Sequence, residues 1–323
     1  MKEIKRIGVL TSGGDAPGMN ATIRSLVRTG IYYGYEMYGI FKGYVGLING
    51  EIERLEARDV SGILQKGGTK LKTSRCPQFL EKPYRDKARS ICDVFGIDVI
   101  CVIGGDGSYR GAFDISKEGL PVICLPGTID NDINSTEYTI GFDTALNTIQ
   151  DAIDKIRDTA YSHERCSVVE VMGRSAGYIA LNNGIAGGAD VILIPEVEFN
   201  IDTDVIKPIL EGRHRGKADF TIIVAEGVKN AQEICRYIEQ KTGMVSRHTV
   251  LGYVQRGGSP SAYDRVMASR MGDYAIKTIH EGRLNRIISL QNNKLVDIDI
   301  EEGLNMQKTV DKDLLKIAKV LSI

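Results

Sequence analysis

Short runs of aliphatic and β-branched residues alternate along the chain with longer stretches in which apolar positions recur at helical spacing. The short runs predict strands at 7–10, 99–103, 122–125, 167–171, 191–194 and 220–225. The longer stretches predict helices at 20–34, 82–95, 144–161 and 262–281. Strands that alternate with helices indicate an α/β fold in which mostly parallel sheets are sandwiched by helices.

The length of the chain favours two lobes. A chain of 323 residues with 42% hydrophobic content can bury more than one core. We predict a larger lobe over 1–140, a smaller lobe over 141–250, and a return to the larger lobe over 251–323 with a C-terminal helix. The stretch 9–15 and the stretch 102–106 each read as a strand that ends in Gly-Gly-Asp, which suggests two related halves.

Composition and charge exclude several classes of protein. The formal net charge is −1, so general binding to nucleic acid or to a membrane surface is not expected. The amino-terminal residues run directly into a strand without a signal-like apolar region, and we expect a cytoplasmic protein. The six cysteines are widely spaced and form no C-x₂-C pair, so neither disulfides nor a zinc site are expected.

Two glycine-rich turns, each following a predicted buried strand, carry the candidate chemistry. They are Gly-Gly-Asp-Gly-Ser at 104–108 and Gly-Thr-Ile-Asp-Asn-Asp at 127–132. Glycines allow backbone N–H groups to close around phosphate oxygens, and a carboxylate beside them can hold Mg²⁺ or accept a hydroxyl proton. Both turns follow the carboxyl ends of strands, where ligands of such folds bind. Together they indicate phosphoryl transfer.

Neither turn matches a common nucleotide-binding motif. Gly13 and Gly18 have P-loop spacing, but Met19 and Asn20 stand where lysine and serine or threonine would follow. The glycines at 104–107 do not form G-x-G-x-x-G, and by themselves also resemble the phosphate loop of NAD kinases and diacylglycerol kinases. Asp106 could instead simply cap a helix. The four histidines show no spacing for a triad or a metal site, which leaves hydrolase and metalloenzyme functions without support.

Five motifs in the same order resemble those of the ATP-dependent 6-phosphofructokinases over nearly the whole chain. They are the stretch 10–20 (LTSGGDAPGMN), the two turns, Met-Gly-Arg at 172–174 and Gln-Arg-Gly-Gly-Ser-Pro at 255–260. The resemblance implies two α/β lobes with the active site in the cleft between them. It also implies a homotetramer in which a neighbouring subunit completes each site.

The resemblance implies the following catalytic and ATP-binding residues. Asp130 would be the general base that takes the proton of the sugar 1-hydroxyl, and Asp132 would support it. Asp106 would hold Mg²⁺. The remaining candidates are Arg75, Thr128 and Arg174 for catalysis, and Gly14, Arg75, Cys76, Gly105, Asp106, Gly107 and Ser108 for ATP.

The acceptor would be fructose 6-phosphate. Its phosphate needs cations of its own, and Arg165 and Arg247 would reach it from the adjacent subunit. The full set implied for the acceptor is Thr128, Ile129, Asp130, Arg165, Met172, Gly173, Arg174, Glu226, Arg247, Tyr253 and Arg256. Pyrophosphate-dependent relatives typically carry Asp where this chain has Gly107 and Lys where it has Gly127, so we expect ATP to be the donor.

The chain departs from the family pattern in several places. Tyr253 stands where the family usually has a histidine that contacts the sugar 6-phosphate, so weaker acceptor binding is expected. Nothing in the sequence explains Tyr178, where many members have Asp. Residues that match parts of a family site for ADP or phosphoenolpyruvate are Arg24, Arg28, Arg157, Gly188, Asp190, Arg215 and Lys217.

Ala57 replaces an arginine that is found in some members of the family, and Ala218-Asp219 interrupts a basic run, so we expect blunted effector control. Two alternatives stay open. One is a kinase for another phosphosugar, such as sedoheptulose 7-phosphate or tagatose 6-phosphate. The other is a non-catalytic regulatory subunit of the same fold.

Overall fold

A computed structural model describes residues 3–322, which divide into two compact units. The first unit contains residues 3–144 and 256–308, and the second contains residues 145–255 and 309–322. The predicted boundaries at 140 and 250 therefore lie four and five residues before the observed ones.

The strands are, in chain order, β1 (Arg6–Thr11), β2 (Glu36–Ile40), β3 (Ile52–Leu55), β4 (Val99–Gly104), β5 (Val122–Pro126), β6 (Cys166–Val171), β7 (Val191–Leu193), β8 (Phe220–Ala225), β9 (Ser246–Val250), β10 (Arg286–Gln291) and β11 (Lys294–Asp299). The α-helices are α1 (Met19–Tyr32), α2 (Tyr44–Asn49), α3 (Lys82–Phe95), α4 (Asp106–Lys117), α5 (Phe142–His163), α6 (Tyr178–Ala186), α7 (Lys207–His214), α8 (Ala231–Thr242), α9 (Ala262–His280), α10 (Ile300–Asn305) and α11 (Lys312–Leu321).

The first unit is built on a seven-stranded sheet with the order β11-β10-β5-β4-β1-β2-β3. The five inner strands run parallel, and the edge strands β3 and β11 run antiparallel to their neighbours. Every residue of β4 and β5 is buried, as expected for central strands covered on both faces. This burial explains why their sequences read as unbroken apolar runs.

Helices α1 and α9 pack together beside this sheet. Their backbones approach closely at Gly272, where an added Cβ would lie 2.6 Å from the Cβ of Ser25. In the first turn of α9, the buried carboxylate of Asp264 accepts hydrogen bonds from the Tyr138 hydroxyl, the Gly141 N–H and the Thr144 N–H. The segment that leads into α5 is thus fixed to α9.

The second unit is built on a four-stranded parallel sheet with the order β7-β8-β6-β9. Its core combines apolar residues of β6, β7 and β8 with those of α7 and α8. The C-terminal helix α11 packs against α6 in this unit. The predicted return of all of 251–323 to the larger lobe is therefore wrong for 309–322, because α11 packs against α6 of the second unit.

The predicted strands and helices named above are confirmed, and their ends lie within two residues of the prediction. Strands β2, β3, β9, β10 and β11 were not among the predicted elements. Among residues 3–322, no helix has the length and apolar character needed to cross a membrane.

Candidate active site

The two glycine-rich turns lie side by side at the carboxyl end of the larger sheet. The N–H of Gly127, after β5, donates to the carbonyl oxygen of Gly104, at the end of β4, over 3.0 Å. The N–H of Ser12, after β1, donates to the carbonyl oxygen of Ile103 over 3.0 Å. Three loops that the sequence singles out, after β1, β4 and β5, therefore meet at one edge.

The loop after β1 is tied to the segment that carries Arg75. The Thr11 hydroxyl donates to the carbonyl oxygen of Lys72 over 2.9 Å, and the Thr73 hydroxyl donates to that of Gly13 over 2.7 Å. Two residues later, the Arg75 side chain is exposed. The structure therefore holds the backbone near Arg75 against the first glycine loop. The thiol of Cys76 is half-buried, and its burial raises its pKa.

The glycines of the 104–108 turn serve different purposes. A Cβ at Gly104 would lie 2.5 Å from the carbonyl oxygen of Ser12, so a larger residue would push the β1 and β4 ends apart. A Cβ at Gly107 would meet no atom within 4 Å, so the space above it is open. A Cβ at Gly127 would lie 2.8 Å from Ile103 Cγ2. Gly127 is therefore required by packing, whereas Gly107 leaves room for a ligand.

Asp106 opens α4, and its carboxylate does not cap that helix. Its Oδ2 accepts from Nε of Arg110 over 2.9 Å, and the side chain is 34% exposed. The N-cap position, Gly105, makes no side-chain cap bond, so backbone N–H groups of the first turn remain suited to an anion. The alternative in which the Asp106 side chain only caps α4 is therefore wrong.

The residues at this edge fit a magnesium ion that is carried in with a polyphosphate. Mg²⁺ in nucleotide sites commonly uses one or two carboxylates together with substrate phosphates and waters. Asp106 offers one partly exposed carboxylate, and no cluster of three or more His, Cys, Asp or Glu side chains suited to a metal occurs within the described part of the chain. A metal held by protein groups alone does not fit these residues.

Asp130 lies in a turn that is fixed from both sides. Its N–H donates to the Thr128 hydroxyl over 3.2 Å, and the Thr139 hydroxyl donates to the Thr128 carbonyl oxygen over 2.6 Å. The Asp130 side chain is only 9% exposed, and the side chain of Ile129 is buried in the core. Ile129 can therefore offer a ligand its backbone but not its side chain.

A lysine that the sequence did not single out lies behind this turn. Lys308 Nζ donates to the carbonyl oxygen of Asn131 over 2.7 Å, between the two candidate acids. Its burial lowers its pKa from 10.5 to about 8, while the negative charges of Asp132 and Glu137 act in the opposite direction. Lys308 is 177 residues from Asn131 in the chain, so no local motif could have indicated it.

Arg256 lies against the first glycine loop. A Cβ added to Gly14 would be 2.5 Å from Nη1 of Arg256, so this glycine makes room for the guanidinium. The family resemblance implies that Gly14 serves the ATP phosphates and that Arg256 serves the acceptor phosphate. The structure brings these two residues together within the first unit.

In the second unit, the ends of β6 and β8 bring together Met172, Arg174 and Glu226. The Arg174 N–H donates to Oε1 of Glu226 over 2.6 Å, and Arg174 has a left-handed backbone with φ of 58°. Gly173 has φ of 138°, and a Cβ there would lie 2.4 Å from the carbonyl oxygen of Ala176. This turn therefore requires glycine.

A cavity of about 150 Å³ lies beside these strand ends and includes Met172, Glu226 and Tyr253 in its lining. The Tyr253 side chain is 79% exposed. The wholly buried Gln255, quoted above only as part of a motif, accepts from the Met172 N–H over 3.0 Å and donates to the Gly252 carbonyl oxygen over 2.9 Å. Gln255 thus connects the end of β6 with the loop that carries Tyr253.

Arg165 and Arg247 are not brought to this cavity. They lie at the amino ends of β6 and β9, where Arg247 pairs in register with Ser167. Val171 is four residues farther along β6 than Ser167, a separation of about 13 Å in a strand. Within this chain, both arginines therefore lie at the opposite end of the smaller sheet from Met172, Arg174 and Glu226.

The candidate effector residues of the second unit form one neighbourhood. Lys217 Nζ forms an ion pair with Asp190, which also accepts from the Thr221 N–H over 2.8 Å. Arg157 donates to the carbonyl oxygen of Gly187, next to Gly188. Arg215 and Lys217 line a cavity of about 220 Å³ with Asp190. Arg24 and Arg28 belong to α1 of the first unit.

Comparisons with known proteins agree with this architecture. The family model described as phosphofructokinase matches residues 6–279. An ATP-dependent 6-phosphofructokinase of Bacillus cytotoxicus is 56% identical over 320 residues, which are 99% of this chain and 100% of that protein.

Solved structures of yeast phosphofructokinases also match. The Saccharomyces cerevisiae protein has a TM-score of 0.89 at 35% identity, and the match covers 99% of this chain and 48% of that one. The Pichia pastoris protein in the T-state has a TM-score of 0.90 at 38% identity, with coverages of 100% and 38%. This chain thus spans less than half the length of the yeast chains. By sequence and by fold, it belongs to the phosphofructokinase family.

Proposed function

We infer that this chain is an ATP-dependent 6-phosphofructokinase, which transfers the γ-phosphate of ATP to the 1-hydroxyl of fructose 6-phosphate. The products are fructose 1,6-bisphosphate and ADP, and the reaction is a step of glycolysis. The observation that carries this inference is the hydrogen-bonded adjacency of the glycine turn after β4 and the acidic turn after β5. The end-to-end likeness to a relative of that name supports the same reaction.

Asp130 is the general base in this proposal. Its carboxylate accepts the proton of the sugar 1-hydroxyl as that oxygen attacks the γ-phosphorus and the bond to the β,γ-bridging oxygen of ATP breaks. The Thr128 hydroxyl, which accepts from the Asp130 N–H, supports the turn. The carboxylate of Asp132, two residues later in the same turn, supports the charge arrangement around Asp130. The low exposure of Asp130 favours this role, because a base shielded from water is held in one position.

The triphosphate of ATP would bind along the edge of the larger sheet. Backbone N–H groups near Gly14, Gly105, Gly107 and Ser108 are suited to its oxygens, and the open space above Gly107 accommodates it. Arg75 would neutralise charge that develops on the transferred group. Cys76 would border this site by its position next to Arg75.

Magnesium would be held by Asp106 together with the phosphates of ATP. The ion would offset the charge of the phosphates when bound. The Arg110 guanidinium now paired with Asp106 is 61% exposed, so it can release the carboxylate at little cost. This exposure supports Asp106 as a ligand that becomes available when the nucleotide enters.

The sugar phosphate would be recognised by the residues at the ends of β6 and β8. Glu226 and Arg174 are suited to sugar hydroxyls, and Met172 and Gly173 shape the backbone beside them. Tyr253 would contact the 6-phosphate through its hydroxyl. In the first unit, the residues that the proposal assigns to the acceptor are Thr128 and Ile129 of the acidic turn, together with Arg256. Arg256 would also serve the 6-phosphate, and its position at Gly14 places its charge near the nucleotide loop.

We further propose a homotetramer in which Arg165 and Arg247 serve the site of a neighbouring subunit. Their place at the amino ends of β6 and β9 supports this proposal, because the rest of the second unit's acceptor set lies at the opposite ends of these strands. A guanidinium that cannot reach its own chain's site is suited to serve another.

Effector control by ADP or phosphoenolpyruvate would be blunted. Arg157 and Lys217 line a cavity of about 470 Å³ together with Asp154, Asp158 and Asp219. Three carboxylates beside two cations oppose the binding of an anion. Lys217 is also engaged by Asp190, which reduces the positive charge offered to a ligand. The other proposed effector residues are Gly188 and Arg215 in the same unit, and Arg24 and Arg28 on α1 of the first unit.

Purified protein should be assayed with a panel of acceptors and donors. We expect fructose 6-phosphate with MgATP to give the highest kcat/KM. A higher value with sedoheptulose 7-phosphate or tagatose 6-phosphate would favour the alternative acceptor that Tyr253 suggests. Faster turnover with pyrophosphate than with MgATP would contradict the proposed donor, and no turnover with any pair would favour a regulatory subunit.

A further inference from the structure

Lys308 is the last residue of the first unit, and it reaches back to the turn that carries both candidate acids. Its Nζ donates to the carbonyl oxygen of Asn131 over 2.7 Å, and its backbone N–H donates to Oδ1 of Asn134 over 3.2 Å. The side chain and the backbone of one residue therefore hold two points of the 131–134 turn. No other role identified above uses this lysine.

The bond from Lys308 acts on the peptide group that joins Asn131 to Asp132. Asn131 has a left-handed backbone with φ of 52°, a conformation that asparagine adopts more readily than most residues other than glycine. Its side chain is buried and donates to the Glu137 carbonyl oxygen over 3.3 Å. An ammonium group bonded to the carbonyl oxygen of Asn131 therefore helps to maintain the peptide orientation that sets Asp130 and Asp132 on either side.

The position of the ammonium group also has an electrostatic consequence. Lys308 is half-buried, and a cation in such a place is unfavourable without compensating charges. The carboxylates of Asp132 and Glu137 provide this compensation. The ammonium group is therefore held at this turn by these negative charges as well as by its hydrogen bond to the Asn131 carbonyl oxygen.

We propose that Lys308 is a positioning residue for phosphoryl transfer, which fixes the Asp130–Asp132 turn through the Asn131 carbonyl group. This inference rests on the proposed function, because it assigns the turn to proton transfer. Lys308 does not itself contact the reacting atoms in this proposal. Its loss should therefore change the rate of the chemical step more than the binding of either substrate.

The test compares Lys308→Met, Lys308→Gln and Lys308→Arg with the parent protein in steady-state assays. Methionine and glutamine remove the charge, whereas arginine retains a cationic donor. We expect kcat to fall about 10- to 100-fold in the first two variants, as for the loss of a hydrogen bond to a charged group. KM for ATP and for fructose 6-phosphate should change less than about threefold, and Lys308→Arg should recover most of kcat.

Lys294→Met is the matched control, since Lys294 is an exposed lysine of the first unit. It should leave kcat and both KM values unchanged. Thermal unfolding of every variant establishes whether it is folded. If Lys308→Met does not fold, the proposal is tested by comparing Lys308→Gln with Lys308→Arg.

Three results would overturn the proposal. They are an unchanged kcat in folded Lys308→Met or Lys308→Gln, a rise in KM without a fall in kcat, and a folded Lys308→Arg that loses as much kcat as the neutral variants. Failure of the proposed function is seen separately, because the parent protein would then show no turnover of fructose 6-phosphate with MgATP.

Discussion

At the scale of single residues, two glycines that look equivalent in the sequence have different surroundings in the structure. Gly107 and Gly127 both stand where pyrophosphate-dependent relatives carry longer side chains. Only Gly107 faces open space, because a Cβ at Gly127 would press on Ile103. The argument for ATP from the available space therefore depends on Gly107.

Tyr253 offers a test of how the acceptor phosphate is bound. Replacing the neutral phenol by imidazole in Tyr253→His adds a group that can carry charge, so fructose 6-phosphate should bind more tightly by roughly 1 kcal/mol, about fivefold in KM. We expect kcat to change little. Tyr253→Phe, which only removes the hydroxyl, is the control and should raise KM slightly. A higher KM in Tyr253→His would contradict this role for the position.

The titration of Lys308 should make the free energy of unfolding rise with pH. Its pKa is about 8 in the folded chain and near 10.5 when exposed, so between these values the unfolded chain binds more protons. The contribution of Lys308 to the free energy of unfolding should therefore rise between pH 8 and pH 10.5, by up to about 3 kcal/mol.

Denaturant unfolding of the parent and of Lys308→Met across this range measures the effect. The difference in unfolding free energy, parent minus variant, should increase with pH. A difference that is constant or that decreases with pH would show that the lysine is not buried as described.

At the scale of elements, the strand ends bring together what the sequence spreads over long distances. The turns after β4 and β5 were predictable, because each combines glycines and acids directly after an apolar run. The partnership of α11 with α6 was not, since an amphipathic pattern indicates a buried face but not the surface that covers it. The same holds for Lys308 and Gln255, whose partners are set by tertiary packing alone.

Asp264 on α9 also has hydrogen-bond partners that are distant in the chain, and its replacement should destabilise the first unit. Asp264→Asn weakens the hydrogen bonds to Tyr138, Gly141 and Thr144, which should lower the free energy of unfolding by about 2–3 kcal/mol. Asp273→Asn on the same helix removes only an exposed ion pair and should change it by less than about 1 kcal/mol. Equal effects of the two changes in thermal or denaturant unfolding would contradict the buried role of Asp264.

At the scale of the whole molecule, the α/β class and the division into two units followed from the alternation of strands and helices and from chain length. The assignment of 309–322 to the second unit could not be predicted in this way, because it depends on long-range contacts. The candidate site residues were identified mainly by family motifs. What the structure adds is the set of local contacts that holds them, and, within the second unit, the separation of Arg165 and Arg247 from Met172, Arg174 and Glu226.

A mixing experiment tests whether sites are shared between subunits. Asp130→Asn and Arg247→Ser should each be nearly inactive alone. When the two are unfolded together and refolded, hybrid oligomers should regain part of the activity, because some sites combine an intact Asp130 with an intact Arg247 from another chain. Light scattering should give four times the mass of one chain. Activity that never exceeds the sum of the two variants would show that each site is built from one chain.

The most direct test of the proposed mechanism is kcat of Asp130→Asn with MgATP and fructose 6-phosphate. The amide keeps the shape of the side chain but cannot accept the hydroxyl proton, so kcat should fall about 10²- to 10⁴-fold. Calorimetric Kd values for both substrates should change little. A variant that binds both substrates and retains kcat within about tenfold of the parent would contradict Asp130 as the general base.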